Sequence, residues 1–378
     1  MILVALEHEG ISLPPNKAIQ IEKTRDSQHG DYSSNVALII AKSVDSNPRE
    51  LADRIAGHLP DSELIDHAEV AGPGFINFFL NNNAYISTIN EIIEAGGNYG
   101  CSDYGEGKPI LIEFVSANPT GPLHIGHGRG VAYGAAVANL LEAIGYRVDR
   151  EYYVNDTGRQ MDILTLSIWL RYLEICDANI IFPEQAYQGE YIKAIARKLI
   201  AEKGDLLSKD TAALFSQHDT KADTEKYLDD LIDLAKSTLG ENNYEFVLKL
   251  GLNEILNEIR TDLEDIGVTY DNWFSERSLT IDDQINKCIK QLDDNGYIYE
   301  KDGAQWFRSS KFGDEKDRVV IRDNNQTTYF ASDIAYHKSK YDRGYTQIID
   351  IWGADHHGYI ARVKAALEAL DKDTDALK

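Results

Sequence analysis

The sequence has 378 residues, 43% hydrophobic and 26% charged, which is the balance of a globular protein with two or three domains and a sizeable core. Its formal net charge of −24 argues against a general nucleic-acid binder, because such proteins gain affinity by neutralising phosphates. Any RNA partner would therefore have to meet local basic patches.

The cysteines and the N-terminal residues indicate in which cellular compartment we expect the protein. Cys101, Cys176 and Cys288 lie far apart, without the spacing of a zinc site or a disulfide framework, so we expect free thiols in a reducing environment. Because acidic residues stand at positions 7 and 9, soon after a short apolar run, we expect no secretory signal peptide. No apolar run approaches the roughly 20 residues that span a bilayer. We therefore expect a cytoplasmic protein with no metal site and no membrane contact.

The first hundred residues predict a small α+β domain. The expected elements are a strand at 18–22, helices at 35–42 and 47–58, a hairpin of strands at 68–71 and 75–80, and a helix at 82–94. Asn47 and Pro48 mark the start of the second helix, because asparagine is a preferred N-cap and proline fits the first helical position. The turn-forming residues at 96–109 lack periodicity and predict a linker.

After the linker, strands and helices alternate, so residues 101–378 predict an α/β domain with a parallel sheet. The expected elements are strands at 110–115, 147–154 and 347–352, helices at 126–143, 162–174, 330–341 and 359–370, and a hairpin at 296–307. From about 184 to 265, helical periodicity dominates, especially at 191–200 and 244–263. We interpret that stretch as a helical insertion.

Two histidines stand at the start of the predicted helix 126–143. His124 and His127 are three residues apart, so both would project from one face of its first turn. The backbone N–H groups and the positive dipole end of a helix start form an anion site. Gly126 between them lacks a Cβ, so a flat adenine could lie against the backbone. The pattern suggests ATP chemistry and nucleotidyl transfer.

Acidic residues lie near the predicted ligand edge of the sheet. Glu113 lies near the C-terminal end of the strand before the histidine segment, where α/β sheets bind ligands; the alternative is a carboxylate in a surface ion pair. Tyr329 and Asp333 are four residues apart at a helix start and share a face. The alternative for Asp333 is an aspartate stabilised by the helix dipole.

Two further polar segments follow predicted strands. Asp355, His356 and His357 come after the strand 347–352, where the sheet would hold a nucleotide; a helix cap or a metal pair are the alternatives. Asn155 and Asp156 follow the strand 147–154, where they are either an N-cap or neighbours of the substrate.

Several segments together resemble one family. The string Pro119-Thr-Gly-Pro-Leu-His-Ile-Gly-His127 looks like the HIGH signature of class I aminoacyl-tRNA synthetases. The longer string Ser116-Ala-Asn-Pro-Thr-Gly-Pro-Leu-His-Ile-Gly-His-Gly-Arg-Gly130 resembles arginyl-tRNA synthetases in particular. So do Tyr153-Val-Asn-Asp-Thr-Gly-Arg-Gln160, Tyr270-Asp-Asn-Trp-Phe-Ser-Glu276 and Gly353-Ala-Asp-His-His-Gly358, in the family's order.

This resemblance implies a Rossmann-like catalytic domain that activates L-arginine with ATP to arginyl-adenylate and transfers it to tRNA(Arg), with Mg²⁺ held by ATP and pyrophosphate. It implies catalytic roles for His124 and His127. The implied ATP-binding residues are His124, Gly126, His127, Gly353, Asp355, His356 and His357. The implied arginine-binding residues are Glu113, Ser116, Asn118, Tyr329 and Asp333.

The N-terminal unit, residues 1–100, resembles the additional domain with which arginyl-tRNA synthetases contact the tRNA D-loop. Its segment Gly30-Asp-Tyr-Ser-Ser-Asn-Val-Ala37 matches. Tyr32 could stack on a base and Asn35 could bind a base edge. The alternative is a core tyrosine followed by an N-cap asparagine.

The sequence also departs from the family. It contains no Lys-Met-Ser-Lys loop and no helical anticodon-binding domain, so we expect a fragment truncated before both, monomeric and impaired in isolation. Two other functions stay open. One is a small-molecule adenylyltransferase of the HxGH type, and the other is a non-catalytic RNA-binding relic.

Overall fold

The computed structural model describes residues 1–14, 17–176, 180, 182–208, 224–353 and 357–378. The chain separates into two compact units, Met1–Gly100 and Cys101–Lys378, each with its own internal packing. Among the described residues, no helix combines the length and apolar character needed to cross a membrane.

The first unit is a four-stranded antiparallel sheet, in the order β1-β2-β4-β3, packed against helices. Its elements are α1 (Ile2–His8), β1 (Ile21–Lys23), β2 (Tyr32–Ser34), α2 (Val36–Ile40), α3 (Pro48–Gly57), β3 (Ile65–Ala71), β4 (Phe75–Leu80) and α4 (Asn82–Ala95). As the sequence predicts, the Asn47 side chain caps α3, accepting a hydrogen bond from the Arg49 N–H at 2.9 Å. The first strand begins at Ile21, later than expected, and α1 was not anticipated.

The second unit contains the predicted parallel sheet. In chain order its elements are β5 (Pro109–Glu113), α5 (Ile125–Ala143), β6 (Arg147–Val154), α6 (Arg159–Ile175), α7 (Glu190–Lys203), α8 (Thr224–Asp265), β7 (Asn272–Ser275), α9 (Glu276–Ile281), α10 (Gln284–Asp294), β8 (Ile298–Lys301), β9 (Ala304–Phe307), β10 (Arg318–Ile321), α11 (Tyr329–Asp342), β11 (Gln347–Asp350) and α12 (His357–Ala369). The sheet order is β11-β5-β6-β7, with all neighbours parallel. The prediction of a Rossmann-like parallel sheet is confirmed.

Strand β5 lies between two strands and is apolar from Pro109 to Ile112, as a strand buried on both faces requires. Helix α5 packs closely where Phe114 follows that strand. A Cβ on Gly134 would lie 2.2 Å from the Cγ atom of the Phe114 ring, so only glycine allows this approach.

Helices α7 and α8 form the insertion and pack on α6, and their apolar residues join one core with the parallel sheet. Helix α8 is broken at Gly240, whose φ of 66° and ψ of 165° are not helical. Past the insertion, β8, β9 and β10 form a small antiparallel sheet. Asp302 and Gly303 both have positive φ, as a two-residue hairpin turn requires. The sequence predicts this hairpin but not the third strand.

Candidate active site

Helix α5 starts with a capping box made by the two histidines. His124 is the N-cap, and its Nδ1 accepts a hydrogen bond from the Gly126 N–H at 3.1 Å. His127 Nδ1 accepts from the His124 N–H at 3.2 Å, and the two rings stack with centroids 3.9 Å apart. His124 thus lies one position before the first turn in which we expected it. The space over Gly126 is taken by the His124 ring, which a Cβ there would meet at 2.8 Å.

These bonds fix the tautomers of both imidazoles. Because each Nδ1 acts as an acceptor, each ring carries its proton on Nε2. Burial, and then the neighbouring His124, lower the pKa of His127, which favours the neutral ring near pH 7. The helix start therefore presents two Nε2–H donors beside its own backbone N–H groups.

Three carboxylates lie side by side where the strands approach their carboxyl ends. Glu113 of β5 stands in register with Asp350 of β11 on one side and with Glu151 of β6 on the other. All three side chains are almost fully buried. We call Glu113, Glu151 and Asp350 the acid row. Of its members, sequence reasoning identified only Glu113.

Two cations, one on α11 and one directly after it, pair with the carboxylates of the acid row. Lys340 Nζ lies 2.6 Å from Glu113 Oε2 and 2.6 Å from Asp350 Oδ1. Arg343 donates from both terminal nitrogens to the Glu151 carboxylate, at 2.5 and 3.0 Å. Although burial opposes both effects, these contacts raise the pKa of Lys340 to about 12 and hold the pKa of Glu151 below its usual range.

His337 is a further partner of the acid row on α11. Its Nε2 lies 2.9 Å from Asp350 Oδ2, and its Nδ1 lies 2.8 Å from the Asp333 carbonyl oxygen. Although burial opposes the effect, Lys340 and His337 hold the pKa of Asp350 at about 2. His337 thus joins the Asp350 carboxylate to the backbone of α11.

This arrangement bears on the role expected of Glu113 in binding the substrate. Its Oε2 accepts from Lys340 and from the Tyr336 hydroxyl at 2.8 Å, and its Oε1 accepts from Ser116 Oγ at 2.9 Å. The resemblance implies that Glu113 meets a substrate guanidinium, but in this structure its charge is already matched by Lys340. The ion pair considered as the alternative is present, although it is buried rather than on the surface.

A tight turn places Ser116 beside Glu113. The Ser116 N–H donates to the Phe114 carbonyl at 3.0 Å, closing a γ-turn around Val115. Val115 has a φ of 69° and Ser116 a φ of 43°; a positive φ is strained for a β-branched residue. Ser116 Oγ also accepts from the Tyr153 N–H at 3.1 Å, which anchors the turn to β6. Asn118, further along, is exposed.

A cavity of about 430 Å³ opens over this turn. It unites four of the residues that the sequence points to, from three separate segments: Glu113, Ser116, Asp333 and Gly353. The side chains of Tyr153, His337, Trp352 and Tyr359 complete much of its wall. The cavity lies at the carboxyl ends of β5 and β11, the edge at which such sheets bind ligands.

Asp333 is the acidic group in this cavity whose charge is not matched. Its carboxylate accepts a hydrogen bond from the Tyr359 hydroxyl, and no described cation forms an ion pair with it. Burial, opposed in part by His337, raises the pKa of Asp333 to about 7, and the nearby carboxylates of Glu276 and Glu113 act in the same direction. Such a group is ready to receive a cation.

Glu276 is a second such group, which sequence reasoning missed. It is the first residue of α9 and is 6% exposed, and no described cation pairs with it. Burial raises its pKa although the Tyr153 hydroxyl binds it. The segment Tyr270–Glu276 was noted for its resemblance, but nothing in the sequence gave the glutamate a separate role.

Tyr329 faces a neighbouring cavity. It is 62% exposed and, with Glu276 and Ser332, lines a polar cavity of about 540 Å³. The predicted pair Tyr329 and Asp333 is therefore on α11 as expected, but its members line two different cavities.

The interpretation of Asp156 as the N-cap of its own following helix is wrong. That N-cap is Gly158, with a φ of 78°. Asp156 instead accepts hydrogen bonds from the Arg277 N–H at 2.9 Å and from Ser275 Oγ at 2.5 Å. Because Arg277 is the second residue of α9, Asp156 caps that helix from the loop after β6.

The structure describes only some of the remaining predicted site residues. Asp355 and His356 lie outside the described residues, and His357 begins α12, its side chain likewise undescribed. In the first unit, Tyr32 is 39% exposed, so it is not a core residue. Asn35 precedes α2 without capping it by its side chain, which donates instead to Gln20 Oε1 at 3.3 Å.

Comparisons with known proteins identify the family of the chain. The family model "Arginyl tRNA synthetase N terminal domain" matches residues 2–80, and "tRNA synthetases class I (R), catalytic domain" matches residues 88–376. The arginine--tRNA ligase of Thioalkalivibrio sulfidiphilus is 55% identical over 99% of this chain and 64% of its own length. That of Hydrogenovibrio crunogenus is 51% identical over 95% of this chain and 62% of its own length.

A solved structure shows the same fold. The arginyl-tRNA synthetase of Thermus thermophilus has a TM-score of 0.63 at 20% identity, covering 100% of this chain and 63% of that one. The chain thus spans slightly less than two thirds of the length of these relatives. On the two family models and the curated relatives, the chain belongs to the arginyl-tRNA synthetase family of class I aminoacyl-tRNA synthetases.

Proposed function

We propose that this chain binds L-arginine and ATP and forms arginyl-adenylate, which the complete enzyme transfers to tRNA(Arg). The observation that carries the proposal is the pair Asp333 and Glu276. Asp333 lines the 430 Å³ cavity and Glu276 lines the neighbouring 540 Å³ cavity, and the two carboxylates are close enough for Glu276 to help raise the pKa of Asp333. No described cation is paired with either, whereas each carboxylate of the acid row pairs with Lys340 or Arg343. A cationic side chain is the ligand that this charge pattern favours.

In the proposed complex, the guanidinium lies between Asp333 and Glu276, with Tyr329 at its outer edge. A planar guanidinium offers five N–H donors and pairs bidentately with a carboxylate, which a lysine ammonium cannot do. Neutral citrulline would leave a buried carboxylate without its counter-ion. Ser116 and Asn118, with Glu113 behind them, would hold the α-ammonium group.

His124 and His127 would act on the triphosphate. Their Nε2–H groups and the start of α5 offer donors to phosphate oxygens. The arginine carboxylate attacks the α-phosphorus, forming a carboxyl-oxygen-to-phosphorus bond and breaking the bond to pyrophosphate. The histidines stabilise the charge that develops there, which needs positioned donors rather than covalent chemistry. Gly353, Asp355, His356 and His357 are proposed to bind the adenosine.

Magnesium enters this proposal only with the nucleotide. Among the described residues, no group of three or more His, Cys, Asp or Glu side chains is placed to hold a metal ion. Mg²⁺ commonly keeps most of its ligands as water and phosphate oxygens, so it would arrive bound to ATP and leave with pyrophosphate.

For tRNA, we propose that the unit Met1–Gly100 contacts the D-loop. The exposed ring of Tyr32 supports this, because it is accessible for stacking on a base, and Asn35 lies close behind it in the chain. We further propose a cytoplasmic monomer. Sedimentation of the purified chain tests the oligomeric state.

Calorimetry with arginine, lysine, citrulline and ATP tests the proposed function. We expect selective arginine binding that Asp333→Ala abolishes. Nucleotide binding without preference among amino acids would instead favour an adenylyltransferase, and no binding of either would favour an RNA-binding relic. The family models and curated relatives do not favour these alternatives. Activation assays should include tRNA, which the family resemblance implies is needed.

A further inference from the structure

Lys340 is a fully buried lysine with no solvent-exposed surface. Its ammonium bridges Glu113 and Asp350, at 2.6 Å from each. Burying a charge in this way is unfavourable unless its partners are well placed, and apolar residues of similar size often stabilise a core at least as well. Packing alone therefore does not require an ammonium at this position.

The two carboxylates that Lys340 joins stand at the ends of neighbouring strands. Glu113 is the last residue of β5, and Asp350 is the last residue of β11. Each strand runs directly into a wall of the 430 Å³ cavity. Val115 and Ser116 follow β5, and Trp352 and Gly353 follow β11.

A continuous series of hydrogen bonds leads from Lys340 to the first of these walls. The ammonium binds Glu113 Oε2, Glu113 Oε1 accepts from Ser116 Oγ, and Ser116 Oγ accepts from the Tyr153 N–H. This series holds the γ-turn at Val115, whose positive φ would otherwise be unfavourable.

On the other side, Asp350 links Lys340 to His337. Asp350 Oδ1 accepts from Lys340 and Asp350 Oδ2 from His337, whose ring lines the same cavity. The other nitrogen of that ring binds the carbonyl oxygen of Asp333. One ammonium thus fixes the relative positions of both strand ends and of the helix that carries Asp333.

We propose that Lys340 is a positioning residue that holds the turn at Ser116 and the loop at Gly353 in one arrangement. It touches neither substrate and acts through Glu113 and Asp350. The inference rests on the proposed function, in which Ser116 binds the amino acid and Gly353 the nucleotide.

The test removes the ammonium and then returns it. Lys340→Ala deletes the atoms that n-propylammonium would restore, and 1-propanol is a neutral molecule of similar size. Lys340→Met keeps most of the side-chain volume without the charge and serves if the alanine variant does not fold. Lys338→Met is the matched control, because Lys338 lies on the same helix and pairs with Asp342 at the surface.

We expect Lys340→Ala to weaken both arginine and ATP binding by about tenfold or more, since losing one partner of a buried ion pair leaves the other carboxylates uncompensated. n-Propylammonium should restore most of this affinity and 1-propanol should not. Hydrogen exchange at the Ser116 and Tyr153 amides should speed up in the variant. Lys338→Met should match the wild type in every measurement.

Two results would overturn the inference. One is that a folded Lys340→Ala or Lys340→Met variant keeps wild-type affinities and wild-type exchange at Ser116. The other is that 1-propanol rescues as well as n-propylammonium, which would show a packing role only. A wild-type chain that fails to bind arginine would refute the proposed function instead, and the exchange measurement would still decide whether Lys340 positions the turn.

Discussion

The Asp156 carboxylate accepts a hydrogen bond from the backbone N–H of Arg277, 2.9 Å away and 121 residues later in the chain. The loop after β6 thereby fixes the first turn of α9. Glu276 begins that turn, so one of the two carboxylates proposed to hold the guanidinium depends on a cap from a distant segment.

Asp156→Ala should therefore affect both stability and binding. It leaves the Arg277 N–H and the Ser275 hydroxyl without their acceptor, which should cost about 1 kcal/mol of unfolding free energy, as for other lost N-caps. Arginine affinity should fall as Glu276 loses its fixed position. Asp156→Asn keeps one acceptor oxygen and should lie between the alanine variant and the wild type. Urea unfolding and calorimetry measure both effects; unchanged arginine affinity in a destabilised alanine variant would contradict the link to Glu276.

The raised pKa of Asp333 predicts a pH-dependent affinity for arginine. With a pKa of about 7, Asp333 holds a proton below that pH in the unliganded chain, and a guanidinium must displace it. The dissociation constant should rise as the pH falls from 8 to 6, and binding should release a proton. Calorimetry in buffers of different ionisation enthalpy measures that release. Asp333→Asn should bind weakly without this pH dependence, whereas Asp342→Asn, on the same helix, should retain it.

The raised pKa of Asp333 also predicts how the stability of the unliganded chain depends on pH. Since the folded pKa lies above the ordinary value of 3.8, the folded state holds a proton that the unfolded state has released. The contribution of Asp333 to stability is therefore present at low pH and is lost as the pH rises toward and through about 7. As the pH rises from 5.5 to 8, the unfolding free energy of Asp333→Asn, measured in urea, should increase relative to that of the wild type. A constant difference across that range would show that Asp333 is not protonated in the folded chain.

Two substitutions at His124 separate its role as the N-cap of α5 from its proposed role in binding the triphosphate. Asparagine is a preferred N-cap, so His124→Asn should keep the stability of α5, whereas His124→Ala should lose about 1 kcal/mol. Both variants lack the Nε2–H donor and should bind ATP more weakly, with arginine affinity nearly unchanged. In a full-length enzyme, pyrophosphate exchange should fall by roughly 10²–10³. Wild-type exchange rates in His124→Asn would exclude the proposed role.

Alanine substitutions at two glycines of α5 should change stability in opposite directions. Gly134→Ala places a Cβ against the Phe114 ring and should destabilise the chain by about 1–3 kcal/mol through overpacking. A Cβ at Gly130 would meet no neighbouring atom within 4 Å, so Gly130→Ala should stabilise the helix by up to about 1 kcal/mol. Urea unfolding of both variants checks the signs. Equal effects would mean that α5 does not approach β5 as closely as the structure shows.

Features encoded by local patterns were predictable from the sequence. The parallel strands β5, β6 and β11 were predicted, whereas β7 was not. The start of α3 was predictable from an Asn-Pro pair, and the β8–β9 hairpin from the turn at Asp302 and Gly303. The His124–His127 segment was predictable for the same reason, since strand, turn and helix signals adjoin one another there. The strand β10 is only four residues long and pairs with an earlier strand, so it left no comparable signal.

The charge arrangement of the site was not predictable. Glu113 and Lys340 are 227 residues apart, and nothing local to either indicates the other. Identifying the pair needs the register of β5 against β11 and the docking of α11, both of which are tertiary. For the same reason, sequence reasoning gave Glu276 no role of its own.

The acid row also bears on how the sheet assembles. Glu113, Glu151 and Asp350 occupy the same level of three adjacent strands, and alternate residues of a strand point to opposite faces. A slip of β5 by one residue would turn Glu113 away from α11 and bring an apolar side chain against the Lys340 ammonium. Misaligned pairings of the central strand would thus bury an uncompensated charge, so the electrostatics that shape the pocket also penalise the wrong register during folding.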